Sequence, residues 1–310
     1  MTITFIAGCN SETGKTAKDG DVLKVYTTVY PLLDFTKKIG GKYVNVETVY
    51  PAGTDEHSFE PTQKDIIKMA DSDLFFYIGY NLEGFVTKAK PILEQEDVTV
   101  KAIGETVAID EHDGGHEETE DHAHEQGEDD GHNHGSINPH LWLDPIYANE
   151  MAASIKEELI NKMPEQKEYF EKNYQELEGK LTDLDNTFKE AASFGTTHKI
   201  IVSHAAYGYW EERYGIEQIS VAGLSSSSEP TQKQLENIIK TAEENKLRYV
   251  IFEQNTSSKL TKIIQKEIGA KPLKLHNLSI LTDKDIDKKE DYFSLMESNA
   301  NTLKTALSNQ

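Results

Sequence analysis

Residues 23–41 read LKVYTTVYPLLDFTKKIGG, one full turn of the pattern that decides the fold. Leu23 to Thr28 is built from residues that favour extended chain. Pro31 then suits the first turn of a helix, and Gly40-Gly41 closes it. The cycle recurs. VNVETVY (44–50) predicts a strand and PTQKDIIKMA (61–70) a helix, while DLFFYIG (73–79) predicts a strand and Leu82 to Lys90 a helix. In the second half HKIIVSH (198–204) and RYVIFE (248–253) are apolar strands, each followed by a helical stretch, AAYGYWEERYG and SSKLTKIIQKEIG. Strands alternating with helices predict an α/β fold with parallel sheet.

A literal echo divides the chain. EPTQK occurs at 60–64 and again at 229–233, each copy leading into a helix and then a strand, which predicts two related α/β lobes. Between them Phe170, Tyr174, Leu177, Leu181, Leu184 and Phe188 recur at three/four spacing, the apolar stripe of a single amphipathic helix over 164–192. Roughly 29 residues at about 1.5 Å each make a rod a little over 40 Å long, the span of a whole domain. Such a rod restricts hinging and suits a small ligand. The expected organisation is a tether over 1–22, a first lobe over 23–163, the linking helix over 164–192 and a second lobe over 193–310.

The chain has 310 residues and a formal charge of -22, so nucleic acid and anionic lipid headgroups are repelled and cations are attracted. Its single cysteine, Cys9, excludes an intrachain disulfide. Cys9 ends a short apolar run, Ile6-Ala7-Gly8, as in a bacterial lipobox, and the polar stretch behind it reads as a flexible tether. The charged start and most of the apolar core of a signal peptide are missing, which reads as a truncated leader. The alternative is an ordinary buried cysteine. No apolar run reaches the ~20 residues that span a bilayer, so the expected attachment is a lipid outside the membrane.

Three histidines share a context. His57 follows the strand ending at Tyr50, His140 lies in NPHLWLDP just before a helical segment, and His204 ends the strand HKIIVSH. Loops at the carboxyl ends of parallel strands form the ligand crevice of such sheets, so the three rings can converge between the lobes. Three neutral imidazoles suit Zn2+, whereas Mn2+ favours more carboxylate oxygen. Each histidine alone reads equally well as a surface or hydrogen-bonded residue. Glu56 and Glu253 are candidates to complete or support a metal shell, or to cap a helix. His198 reads as solvated, and His276, in KLHNLS, as structural.

The segments VYPAGTDEHSFEPTQKD, NPHLWLDP and IVSHAAYGYWEERYG carry a resemblance to the zinc-specific solute-binding lipoproteins of bacterial ABC metal importers, extending over 23 to about 305. The resemblance implies two lobes with four-stranded parallel sheets flanked by helices, one rigid connecting helix, and one ion in the inter-lobe cleft. It matches His57, His140 and His204 to the three zinc histidines. The manganese branch of the family has a carboxylate where His204 stands. Some relatives carry an acid where Ser279 stands here, which leaves Glu56 or a water as fourth ligand. Some also have a disulfide in the second lobe, which this chain cannot form.

The function so implied is capture of Zn2+ outside the cell and delivery to a cognate ABC permease, by a monomer that is not an enzyme. It would sit lipid-anchored on the outer face of a Gram-positive cell membrane. A manganese receptor or adhesin on the same fold, and a three-histidine hydrolase with Glu56 as base, are the rival readings.

Residues 110–135 stand apart, with six histidines, eleven acids and no base. Only Ala123 is apolar, glycine recurs five times, and ordering such a segment costs about 1–2 kcal/mol per residue with little burial to offset it. The expectation is a mobile loop whose His112, His116, His122, His124, His132 and His134 collect zinc weakly at several places. The alternative is a solvated insert whose histidines do little.

Overall fold

The computed structural model describes residues 22–109, 137–225, 230–254 and 258–309. Cys9 with its tether, and the acidic segment with its six histidines, lie outside the described residues, as does Glu229 of the second EPTQK copy.

Four parallel strands build the first sheet: β1 (Leu23–Thr27), β2 (Val44–Thr48), β3 (Leu74–Tyr77) and β4 (Thr99–Ala102), in the order β2-β1-β3-β4. Helices α1 (Tyr30–Gly40), α2 (Gln63–Ala70) and α3 (Val86–Gln95) connect them. The second sheet repeats the plan with β5 (Lys199–His204), β6 (Glu217–Ala222), β7 (Tyr249–Glu253) and β8 (Lys271–Leu275), ordered β6-β5-β7-β8 and again all parallel. Between the sheets run α4 (Pro145–Lys162) and α5 (Lys167–Ser193). Around the second sheet lie α6 (Tyr209–Tyr214), α7 (Gln232–Glu244) and α8 (Lys259–Glu267), and the described chain ends with α9 (Asp283–Lys288) and α10 (Tyr292–Ser308).

The pentapeptide echo has a local cause. Thr62 and Thr231 are the N-caps of α2 and α7, each accepting from the amide three residues on while that residue's side chain accepts from the cap amide. Such reciprocal caps satisfy two of the four amides that a helix start leaves without partners. Both helices follow the strand at one edge of their sheet, so equivalent sequence sits at equivalent places in two equal sheets.

The linking helix departs slightly from its expected bounds. Pro164–Gln166 forms a single 3-10 turn and α5 starts at Lys167, running 27 residues. Phe170, Leu177, Leu181, Leu184 and Phe188 are buried as the periodicity predicts, and Tyr174 is half-buried, packing α5 against α4, α1 and α10. Helix α3 is displaced further, beginning at Val86 rather than Leu82. Tyr80 and Asn81 occupy left-handed backbone in a turn closed by Leu82 N on Gly79 O, which stops a helix from starting there.

Strand β5 is buried on both faces, and its period of two sorts the residues. Ile200 and Val202 join the core shared by both sheets and α5, while Ile201 joins a second core under α7 and α8. His204 has the parity of Ile200 and Val202, so it points to the shared side. A second constraint acts on the segment carrying His140. Leu141–Leu143 is a 3-10 turn held from the other lobe: Trp210 Nε1 donates to Leu143 O (2.8 Å), Tyr292 Oη to Trp142 O (2.7 Å), and Trp142 Nε1 to Asn277 O (2.7 Å).

Parallel sheets open a crevice where neighbouring strands lead their loops to opposite sides, here between β1 and β3 and between β5 and β7. In the first sheet a buried carboxylate closes it. Glu83 Oε1 accepts from Thr28 Oγ1 (2.7 Å) and Ile78 N (2.9 Å), and Oε2 from Gly79 N (3.1 Å). Burial pushes this carboxyl up to about 7 and the three donors hold it from rising further. Because the folded value exceeds the ordinary 4.5, folding takes up a proton between those limits. The resulting contribution is full below pH 4.5 and lost as pH rises through 7. We therefore expect Glu83→Gln to erase one pH-dependent component of stability, worth at most about 3 kcal/mol. Urea unfolding of both proteins from pH 5 to 8 checks it: the wild type should lose ground to the variant as pH rises, and parallel curves would contradict the assignment.

Candidate metal centre

At the crevice of the second sheet His204, at the end of β5, and Glu253, at the end of β7, face each other with their polar atoms buried, 2% and 4% exposed. His204 Nδ1 meets Glu253 Oε1 at short range, and Ser203 Oγ donates to the same oxygen (3.1 Å). A carboxylate accepts, so Nδ1 carries a hydrogen, and in the neutral ring Nε2 presents its lone pair.

The same logic fixes His140. Asn138 Oδ1 accepts from the His140 backbone amide (3.1 Å), which identifies it as the amide oxygen, and it lies 2.8 Å from His140 Nδ1. Nδ1 of His140 is therefore also the protonated nitrogen. Its Nε2 faces Nε2 of His204 at 3.3 Å. A ring proton shared between the two nitrogens, or a metal ion bound to both, fills a gap of that size.

His57 supplies the third ring from the loop between β2 and α2. Asp55 Oδ1 accepts from the His57 amide (2.9 Å), and Phe59 packs edge-on against Tyr50 (5.0 Å) and Phe85 (5.8 Å) to seat the loop. The three ring centroids lie 5.1 to 6.0 Å apart. One nitrogen from each ring falls within 4.8 Å of the others, and His57 Nε2 is buried with no hydrogen-bond partner among the described residues. Bond lengths of about 2.0–2.1 Å in a tetrahedral shell put neighbouring donor atoms about 3.3 Å apart, the separation of the His140 and His204 nitrogens.

Electrostatics distinguish the rings. Burial lowers His57 to about 4, helped by the neighbouring His204, and takes His140 well below the ordinary range for the same two reasons. Burial opposes charge on His204 too, but the charge and hydrogen bond of Glu253 override it and raise that ring. Neutral imidazole is the form that binds a metal.

The other candidates fall elsewhere. Glu56 is buried and burial pushes it up to about 7, but its carboxylate is engaged by Asn277 Nδ2 (3.3 Å) and Ser279, and it is not one of the group within 4.8 Å. His276 uses both ring nitrogens structurally, Nδ1 accepting from Leu278 N (2.9 Å) and Nε2 meeting Asp285 Oδ2 (3.1 Å). His198 is exposed. Asn138 and Asn277 escaped sequence reading; Asn138, two residues before His140 in NPH, was the more accessible of the two.

Two parallel α/β lobes facing each other over three histidines, two buried and one half-buried, define a two-lobed cleft with a candidate metal centre. The chain belongs to the family described as zinc-uptake complex component A, periplasmic, whose pattern matches residues 25–306. It is 36% identical over 301 residues to the zinc-binding lipoprotein AdcA of Streptococcus pneumoniae, covering 97% of this chain but 58% of that protein. It is 35% identical over 305 residues to the high-affinity zinc uptake system protein ZnuA of Bacillus subtilis, covering 98% and 94% respectively. The crystal structure of the Zn(II)-bound ZnuA-like domain of S. pneumoniae AdcA superposes with a TM-score of 0.73 at 32% identity, over 93% of this chain and 99% of that one.

Because the folded value for His57 lies below the ordinary 6.5, unfolding takes up a proton between pH 4 and 6.5. The stability tied to a neutral His57 is present above 6.5 and lost as pH falls through 4. NMR titration of the metal-free protein should therefore give His57 a midpoint near 4; a midpoint at the ordinary value would mean the ring is not buried as described.

Proposed function

We propose that this chain is an extracytoplasmic zinc receptor that takes up one Zn2+ between its lobes and delivers it to an ABC permease. His57, His140 and His204 are the ligands in this reading, with the fourth position filled by Glu56 or by a water. The observation that carries it is the convergence of one nitrogen from each of the three rings within 4.8 Å, the His140 and His204 Nε2 atoms 3.3 Å apart, a gap that an ion with short nitrogen bonds fills. Glu253 and Asn138 keep those two Nε2 atoms inward, so the site needs little rearrangement when the ion sheds its water.

An all-imidazole set favours Zn2+ over Mn2+, a harder cation better served by carboxylate oxygen. Burial of His140 and His204, with Glu56 engaged by Asn277 and Ser279, also favours carriage over hydrolysis, which needs room for substrate and a free base. The AdcA and ZnuA names of the relatives support zinc as cargo. Cys9 would carry the lipid anchor, the histidines of 110–135 would gather ions weakly near the cleft, and the chain would act as a monomer docking on its permease.

Calorimetric titration at pH 7 tests the proposal. One tight zinc equivalent is expected per chain, retained after deletion of residues 111–135. The same site should not yield to a roughly 100-fold excess of manganese. His140→Ala should weaken it by more than the about 10- to 100-fold that loss of an outer-shell partner brings. No tight equivalent, or an alanine variant that titrates like its parent, would reject the reading.

A further inference from the structure

Asn277, in the turn after β8, touches none of the three histidines, yet all of its polar atoms are engaged. Its Nδ2 donates to Glu253 Oε2 (3.1 Å) and to Glu56 Oε1 (3.3 Å). Its Oδ1 accepts from Gln254 Nε2 (2.9 Å), Ser279 N (3.1 Å) and Ser279 Oγ (2.9 Å). Its backbone amide donates to Gln254 Oε1 (3.0 Å), and its carbonyl accepts from Trp142 Nε1 (2.7 Å).

Each end of this network leads to a different histidine. Glu253 meets His204 Nδ1, Glu56 precedes His57 in the chain, and Trp142 lies in the 3-10 turn that His140 caps. We propose that Asn277 is a positioning residue that sets the three histidine-bearing segments in mutual register. The inference rests on the reading of this cleft as a zinc site.

The chemistry of the side chain suits the task. Glu56 and Glu253 are two buried carboxylates near one another, and a primary amide is the group that can donate one hydrogen to each without adding charge. The orientation of the amide is decided by its surroundings, since Ser279 N can only donate to its oxygen. The turn itself is held under strain: Leu278, fully buried, sits at φ 59°, a left-handed conformation that a residue with a Cβ rarely adopts. In this conformation the Asn277 carbonyl meets Trp142 of one lobe while its side chain meets both carboxylates. Without the amide, Glu253 Oε2 loses its donor and the carboxylate is free to turn away from His204, releasing that ring from its orientation.

The test compares the wild type with Asn277→Ala and Gln254→Ala. Zinc affinity is read by competition with a chromophoric chelator, and ligand geometry by the visible absorption of the Co2+-loaded protein. Asn277→Ala should weaken zinc about 10- to 100-fold and alter the intensity and position of the Co2+ bands. Gln254 is half-buried and orients the amide, so Gln254→Ala leaves both cores intact and should give a smaller loss with a Co2+ change of the same kind. If Asn277→Ala does not fold, Gln254→Ala decides alone. A wild type that binds one zinc tightly beside variants with unchanged affinity and Co2+ spectra would overturn this inference alone. So would variants that lose only thermal stability. A wild type with no tight zinc would overturn the functional reading together with it.

Discussion

One nitrogen from each of His57, His140 and His204 lies within 4.8 Å of the others between the two lobes, the Nε2 atoms of His140 and His204 3.3 Å apart. The rest of the structure around the cleft maintains that convergence. Glu253 and Asn138 take the outer nitrogens and so decide which nitrogens face inward. Burial keeps His57 and His140 neutral, the form that binds a metal, while Glu253 raises His204.

The duplicated architecture explains where this can happen. Two sheets with the same strand order each open a crevice beside their first strand. In one sheet Glu83 reaches back and satisfies the backbone amides and Thr28, closing the opening with a carboxylate. In the other, the equivalent place holds His204 and Glu253, and the opening becomes a site. One copy of the unit is sealed for stability and the other left with polar atoms turned toward its neighbour. The 27-residue α5 and the shared core join the copies, and rings from both meet in the cleft.

Position 279 shows how the site differs from a four-ligand cage. A serine there points its hydroxyl at Asn277 rather than supplying a carboxylate, and Glu56, pushed up to about 7 by burial, is drawn into the same polar network. Both carboxylates of the cleft are thus tied into hydrogen bonds, Glu253 with His204 and Glu56 with Asn277.

Much was legible in the sequence because it is local. Apolar runs such as HKIIVSH and DLFFYIG announce strands buried on both faces, and the stripe from Phe170 to Phe188 announces α5. The positions of His57, His140 and His204 after strand or before helix marked them as candidates to meet. Strands β4 and β6 were not legible, since each lies at a sheet edge, is mostly half-buried and lacks a strong apolar pattern. The shift of α3 escaped as well, because the turn at Tyr80 and Asn81 follows from the Glu83 contacts rather than from propensity. The sequence by itself determined the two α/β halves, the rod between them and the ligand type. Only the tertiary structure decided which ring nitrogens face the cleft and that Asn277 connects their supports, because hydrogen bonds between residues up to 221 positions apart depend on packing that no local pattern encodes.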